Sequence, residues 1–142
     1  MNIGKRNKLM KIENIKFKAK RLDNGEWVDG SLIRSTAGVK ERAYIVDNFS
    51  SMSDYSVVGV DPSTVCQYTG EKDMNGTEIY IGDIISNLET RSAIEVVWND
   101  RLKRLDCNFI SGANSRLDVP FGIFISRHKR IIVLISKFDK EE

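Results

Sequence analysis

Polar and apolar residues near the start of the chain alternate with a period of two. Residues 15–19 switch between apolar side chains and lysines, which is the pattern of a β-strand with one buried face. An Asp-Asn-Gly sequence follows at 23–25, and Asn and Gly tolerate the positive φ angles of hairpin turns. The apolar pattern then resumes, so residues 15–33 are predicted to form a β-hairpin with Trp27 packed over the partner strand.

The rest of the chain contains short apolar segments rather than helical patterns. Each segment is rich in β-branched or aromatic residues and is bounded by turn-forming residues. Strands are predicted at 43–46, 57–60, 84–85, 93–98, 105–109, 121–125 and 131–135. Short strands at this spacing favour a mainly β fold with little helix, either an antiparallel barrel or a sandwich.

The connections between the first strands have different expected conformations. Residues 35–38 are predicted to form a loop, and the polar run 47–55 to form a mobile loop. Residues 61–65 allow two conformations. One is a helical turn with Asp61 as its cap and Pro62 at its first position, and the other is a strand entered through a turn.

Basic residues are concentrated at the N-terminus, although the net charge of the chain is only +2. The first 22 residues contain eight Lys or Arg and one Glu, whereas the remainder has an acidic excess. Residues 1–11 are predicted to be a flexible basic arm, either a solvated tail or a contact for nucleic-acid phosphates. Residues 12–142 are predicted to form a single β domain, and a subdivision into 12–60 and 77–136 is the alternative.

The sequence argues against a membrane or secreted protein. No apolar run approaches the roughly 20 residues that a membrane span needs. The basic N-terminus is not followed by the apolar core of a signal peptide, so a cytoplasmic location is expected. In that compartment Cys66 and Cys107, which are isolated in sequence, are predicted to be buried unreactive thiols rather than zinc ligands or a disulfide.

Residue types that commonly carry catalysis or bind metals do not form a recognisable set. His128 is the only histidine, and its neighbours in sequence offer no partner for general-base chemistry. Asp73, Glu78 and Asp83 lie close together, but their spacing matches no known cation-binding loop. The sequence therefore predicts neither an enzyme nor a site for a metal, a cofactor or a small-molecule substrate.

The most distinctive segment is 67–85, with the sequence QYTGEKDMNGTEIYIGDII. It contains a strong turn sequence at 75–76, and Gly70 and Gly82 mark further points where the backbone is expected to need glycine. The turn at Gly82 is predicted to lead into a buried strand. Asp83 is expected to hold this turn by accepting hydrogen bonds from nearby backbone N–H groups.

This segment resembles the signature of the YopX family of phage and prophage proteins. The matching elements are Gln67-Tyr68-Thr69-Gly70, Lys72-Asp73, Asn75-Gly76, Glu78-Ile79-Tyr80 and Gly82-Asp83-Ile84. The sequence IKFKA at 15–19 is similar to the family's IKFRA opening, and 60–65 is similar to a segment that precedes the signature in one subgroup. The resemblance covers about residues 12–100.

The chain departs from the family pattern at Glu71, Met74 and Ile81, and its tail from Arg127 onward does not resemble the usual ending. The resemblance implies a phage- or prophage-encoded cytoplasmic protein that can form oligomers. It also implies an SH3-like β-barrel, so the expected fold is a small antiparallel barrel with an additional N-terminal hairpin. No catalytic residues and no established biochemical role come with the family.

Two hypotheses of function follow. The first is a non-enzymatic protein-interaction or self-assembling module, because small β folds leave strand edges that must be covered or paired. Its candidate interaction loop comprises Tyr68, Gly70, Asp73, Asn75, Gly76, Tyr80, Gly82 and Asp83. The alternative is a nucleic-acid-binding protein in which Tyr68 and Tyr80 are exposed for base stacking. Its candidate phosphate contacts are Arg101, Lys103, Arg104, Arg127, Lys129 and Arg130.

Overall fold

The computed structural model describes residues 11–38, 40–111 and 119–139, which are mainly β, so the predicted fold class is confirmed. The strands are β1 Phe17–Lys20, β2 Trp27–Ser35, β3 Arg42–Ser51, β4 Asp54–Val60, β5 Cys66–Lys72, β6 Glu78–Tyr80, β7 Asp83–Asn87, β8 Ser92–Asn99, β9 Arg104–Ser111, β10 Val119–Pro120 and β11 Ile131–Ser136. The helix α1 spans Phe121–Arg127, and 3-10 turns lie at Ile12–Asn14, Pro62–Thr64 and Lys137–Asp139. The predicted basic arm, apart from Lys11, lies outside the described residues.

The chain divides into two compact units, residues 1–67 and 68–142. The boundary falls inside β5, between the subdomains 12–60 and 77–136 that the sequence offered as an alternative. The first residues of β5 pair with β1 in the first unit, and its later residues pair with β6 in the second. From Tyr68 onward, the signature segment therefore belongs to the second unit.

The first unit is an antiparallel sheet in the order β4-β3-β2-β1-β5. The predicted N-terminal hairpin is confirmed, because β1 and β2 pair and Gly25 takes a positive φ of 74° at the turn. Trp27 packs over the partner strand as predicted, with the Nζ of Lys18 4.5 Å from its ring centroid. The core of this unit consists of Ala19, Val28, Ala43, Ile45 and Val60.

The segment 47–55, predicted to be a mobile loop, instead forms the end of the β3–β4 hairpin that contains its turn. β3 extends to Ser51 and β4 begins at Asp54, which leaves two residues for the turn. The pairing is irregular around Asn48, which has a φ of 51°, and the Ser50 hydroxyl donates to the Asp54 backbone carbonyl at 3.0 Å. A polar sequence suits this ribbon because its residues are exposed on both faces.

The segment 61–65 adopts the first of its two expected conformations. A 3-10 turn forms at Pro62–Thr64, and the Oδ1 of Asp61 accepts from the Ser63 N–H at 3.0 Å. Pro62 occupies the first position, where its missing N–H has no partner to lose.

The second unit contains an antiparallel sheet in the order β10-β9-β8-β7-β11, together with the β5–β6 pair. The strands predicted at 84–85, 93–98, 105–109 and 131–135 all lie within this sheet. Its core is formed by Ile79, Ile85, Ile94, Val96, Cys107, Phe121, Phe124 and Ile131. Cys107 here and Cys66 in the first unit are buried free thiols, as predicted.

Residues 121–125 are helical, so the prediction of a strand there is wrong. Phe121 and Phe124 are three positions apart, and one helical face places both rings in the core. A strand would direct these two side chains to opposite faces. A short apolar run does not distinguish these conformations by composition, and the packing of the two rings decides between them.

No closed barrel forms among the described residues, so the predicted SH3-like barrel is wrong in this respect. The outermost strands of the second unit's sheet, β10 and β11, do not pair with each other. β10 has only two residues, and the chain then enters α1. This part of the core is therefore covered by α1 instead of by a strand that would close a barrel.

Candidate functional site

The carboxylate of Asp73 holds the signature turn together. It is 8% exposed, and its Oδ1 accepts hydrogen bonds from the N–H groups of Asn75 at 2.8 Å and Thr77 at 2.9 Å. Its Oδ2 accepts from the N–H of Val133 in β11 at 2.9 Å. Both carboxylate oxygens are therefore used inside the fold, where they close the turn and fasten it to β11.

The turn at Gly82 has the structure that the sequence predicts. Gly82 has a φ of 98°, and its N–H donates to the Val96 carbonyl at 2.7 Å. Asp83 is 1% exposed, and its Oδ2 accepts from the Tyr80 N–H at 2.8 Å. The Gly82 carbonyl also accepts from the Lys137 N–H at 2.8 Å. This turn thus connects β6, β7, β8 and the residue that follows β11.

Tyr68 and Tyr80 are buried, so the prediction that they are exposed for base stacking is wrong. They lie opposite each other in the β5–β6 pair, with ring centroids 5.4 Å apart. Beside them the Thr69 hydroxyl donates to the Ile79 carbonyl at 2.6 Å, and Gly70 has a φ of 86° where the pairing is irregular. The two rings are a packed pair within the second unit.

Most of the predicted interaction loop therefore supports the fold. Asn75 and Gly76 are its exposed members, at the tip of the turn, and Gly76 has a φ of 82°. Asp73 and Asp83 are bound to backbone N–H groups. Within the described ranges, no three His, Cys, Asp or Glu side chains converge on a possible metal position.

The predicted basic residues lie in two separate turns of the second unit. In the β8–β9 turn, the Nζ of Lys103 is 2.8 Å from the Oδ1 of Asp100. The Nε of Arg104 is 2.6 Å from the Oδ1 of Asp106, which is buried, whereas Arg101 is exposed. Carboxylates thus neutralise two of the three cations, which weakens this turn as a site for phosphate.

The other basic turn joins α1 to β11 and has a different environment. His128 points inward, with its Nδ1 3.2 Å from the Nδ2 of Asn87. The cations on either side of it, Arg127, Lys129 and Arg130, are exposed. In the part of the chain that the structure describes, their side chains form no ion pair or hydrogen bond.

The first unit carries an exposed apolar cluster that the sequence did not reveal. The β3–β4 hairpin extends past the last residue pair between β2 and β3, and we call this extension, residues 47–56, the β3–β4 arm. Its large apolar side chains are between 48% and 82% exposed, and they are Phe49, Met52 and Tyr55. The rings of Phe49 and Tyr55 are 5.6 Å apart. In the sequence, the signal that could have revealed this cluster was the presence of three large apolar residues within the polar run 47–55.

β4 is the outermost strand of the first unit's sheet, and part of its outer edge is open. At the covered end, the Gly59 carbonyl accepts from the Leu22 N–H at 3.1 Å. Backbone groups of alternate residues point to the same edge, so those of Val57 and Tyr55 also point outward. No strand among the described residues pairs with them, which leaves this edge available to another chain.

A groove of about 410 Å³ opens beside the covered end of β4. It is lined by Leu22 and by residues 40–44 and 59–62. Charged side chains of both signs contribute to it, and its Glu41 is bound by Arg34 at 3.3 Å. The groove therefore offers a ligand neither a uniform charge nor a continuous apolar wall.

These features define a β-rich protein of two compact units whose most distinctive sequence is a set of structural turns. The chain matches the family described as YopX protein over residues 6–121, which is most of its length. It therefore belongs to the YopX family, as the signature predicted. No curated protein matches the chain. None of the helices in the described residues is long and apolar enough to cross a membrane.

Proposed function

We propose that this chain is a phage- or prophage-encoded accessory protein that acts in the cytoplasm as a non-enzymatic module and assembles with a second copy of itself. Membership of the YopX family supports the general setting. The observation that carries the assembly proposal is the exposed β3–β4 arm beside the open edge of β4. Such a role needs no cofactor or small-molecule substrate.

The open edge of β4 is suited to pair with the same edge of a second copy. An antiparallel pairing centred on Ser56 sets Tyr55 of each copy opposite Val57 of the other and forms about four backbone hydrogen bonds. In this register Asp54 lies opposite Val58, so no two carboxylates face each other. Because both copies use the same edge, the assembly closes as a two-fold dimer.

β4 lacks the features that commonly protect an exposed strand edge. Residues 54–60 contain neither proline nor lysine, and their one charged side chain is Asp54 at the end of the strand. Association would also cover apolar side chains of the arm, and burial of apolar surface contributes about 25 cal/mol per Å². Pairing therefore satisfies outward backbone groups and removes apolar surface from water in one step.

Size-exclusion chromatography with light scattering tests the proposal on the wild type and two variants. Val57→Lys places a charge on the open edge, and Ile110→Lys places one at a similarly exposed position in the second unit (49% and 46% exposed). We expect a salt-resistant dimer for the wild type and Ile110→Lys, and a monomer for Val57→Lys. A wild type that is monomeric at every concentration, or a dimeric Val57→Lys variant, would contradict the proposal.

A further inference from the structure

Three strand ends meet at one end of the second unit's five-stranded sheet. Asn87, the last residue of β7, pairs with Ser92 at the start of β8 and with Ile131 at the start of β11. The turn after β7 is also linked to the loop before β11, because the Leu88 N–H donates to the Arg130 carbonyl at 2.9 Å. Two segments that are far apart in sequence are therefore neighbours here.

Asn87 fixes the geometry of both segments. Its side chain is 1% exposed, its Oδ1 accepts from the Glu89 N–H at 3.0 Å, and its Nδ2 is 3.2 Å from the Nδ1 of His128. Its backbone carbonyl accepts from the Arg91 N–H at 2.7 Å. His128 in turn packs on Phe124, with ring centroids 4.6 Å apart. A buried amide thus holds the turn and the loop in defined positions.

The two segments present four exposed cations, which we call the basic end: Arg91 from the turn after β7, and Arg127, Lys129 and Arg130 from the loop before β11. Within the described residues these side chains have no carboxylate partner, and Glu89 is the one acidic residue in the two segments. Because only β7 separates β8 from β11, the Cα atoms of Arg91 and Arg130 lie about 10 Å apart, two strand spacings.

We infer that the basic end binds the phosphate backbone of nucleic acid. A duplex carries one negative charge per about 1.7 Å of its length, so a cluster roughly 10 Å wide faces several phosphates at once. The β8–β9 turn is less suited, since Lys103 and Arg104 are already bound to carboxylates. The two segments of the basic end contain no Phe, Tyr or Trp, so they offer no ring for base stacking, and the contacts we infer are to phosphates.

The basic end is distinct from the proposed self-assembly, which uses the first unit. Family membership does not imply it either, because three of its four cations lie beyond residue 121, where the family match ends. Arg91 was not among the residues that the sequence suggested for phosphate contacts. Only the pairing of β7 with both β8 and β11 places it beside the other three.

Fluorescence anisotropy with a short labelled DNA duplex, measured over a range of salt concentrations, tests this inference. Four phosphate contacts predict a slope of about −3.6 for the logarithm of the binding constant against that of salt concentration. Arg91→Gln should reduce the size of this slope by about 0.9, and replacing all four cations by Gln should abolish binding. The matched control replaces Arg101 and Lys103 by Gln and should leave the slope nearly unchanged.

Several outcomes would overturn the inference. One is the absence of duplex binding by the wild type at low salt. Another is an equal loss of affinity in the control variant, which would assign binding to overall charge. Binding that survives the four substitutions but is lost when Lys5, Arg6 and Lys8 are replaced by Gln in the full chain would place the contact in the N-terminal segment. Circular dichroism of each variant establishes that it is folded.

Discussion

The carboxylate of Asp73 accepts a hydrogen bond from the backbone N–H of Val133 at 2.9 Å, although 60 residues separate the two. A second link lies beside it, where the Met74 N–H donates to the Ile131 carbonyl at 2.9 Å. The signature turn is thus fixed by β11, which lies beyond the part of the chain that matches the family. The divergent C-terminal tail therefore completes the structure of the family's signature segment.

Replacing Asp73 by Asn should destabilise the second unit. Backbone N–H groups face both carboxylate oxygens, so either orientation of the amide sets its NH₂ group against an N–H donor. A buried donor without a partner costs about 1–3 kcal/mol. Urea unfolding followed by Trp98 fluorescence in a Trp27→Phe background measures the effect. The control Asp100→Asn, at an exposed turn residue, should change the free energy of unfolding by less than about 0.5 kcal/mol. Equal effects of the two variants would contradict the structural role of Asp73.

Gly82→Ala should also destabilise the second unit. The φ of 98° at this residue is unfavourable for a side chain, and the expected cost is about 1 kcal/mol or more. Gly122→Ala is the matched control, because Gly122 is helical and an added Cβ meets no atom within 4 Å. That change should be neutral or stabilising, by up to about 1 kcal/mol. An unchanged thermal midpoint for Gly82→Ala would show that the turn tolerates a side chain.

Gly30→Ala tests a close approach between β2 and β3 in the first unit. A Cβ on Gly30 would lie 2.1 Å from the Val46 carbonyl oxygen, so the two strands must separate to accept it. Gly25→Ala serves as a comparison, since Gly25 also has a positive φ but has free space around its Cβ position. We expect Gly30→Ala to lower the free energy of unfolding clearly more than Gly25→Ala, as measured by Trp27 fluorescence in a Trp98→Phe background. Similar losses would mean that backbone conformation, and not the contact, sets the cost.

Proline substitutions in β4 distinguish its two edges. The N–H of Val57 points to the open edge, whereas Val58 pairs with Ile45 of β3 through its backbone groups. Val57→Pro should therefore leave the fold intact and abolish dimer formation, and Val58→Pro should destabilise the first unit. Circular dichroism and light scattering on both variants provide the measurement. A folded Val57→Pro variant that remains dimeric would exclude pairing through this edge.

Burial raises the pKa of the Cys107 thiol from 9.0 to about 12, and the neighbouring Asp106 carboxylate adds to the effect. The unfolded chain releases this proton at a lower pH than the folded chain does. Cys107 therefore contributes stability that is fully present below pH 9 and is lost as the pH rises toward 12. Above pH 9, the free energy of unfolding should fall more steeply for the wild type than for Cys107→Ala. Parallel pH profiles would count against this assignment.

Features encoded by neighbouring residues could be predicted from the sequence. The hairpin turn at Gly25 and the hydrogen bond that Asp83 accepts from the Tyr80 N–H depend on contacts within a few residues, and the structure confirms them. At 61–65 the sequence allowed two conformations, and the structure adopts the turn capped by Asp61. The hydrogen bond between Asp73 and Val133 could not be predicted in this way. It depends on a strand that forms 60 residues later.

The sequence by itself determined the β-rich class, the family and the local turns, because alternation, glycine positions and short-range hydrogen bonds act over a few residues. The tertiary structure decided which side chains are covered and which are left exposed. Tyr68 and Tyr80 are buried because β5 and β6 pair them, and residues 121–125 are helical because two rings must share one core face. Arg91 lies beside the loop before β11 because β8 and β11 both neighbour β7 in the sheet. This strand order depends on long-range packing, which no local sequence pattern records.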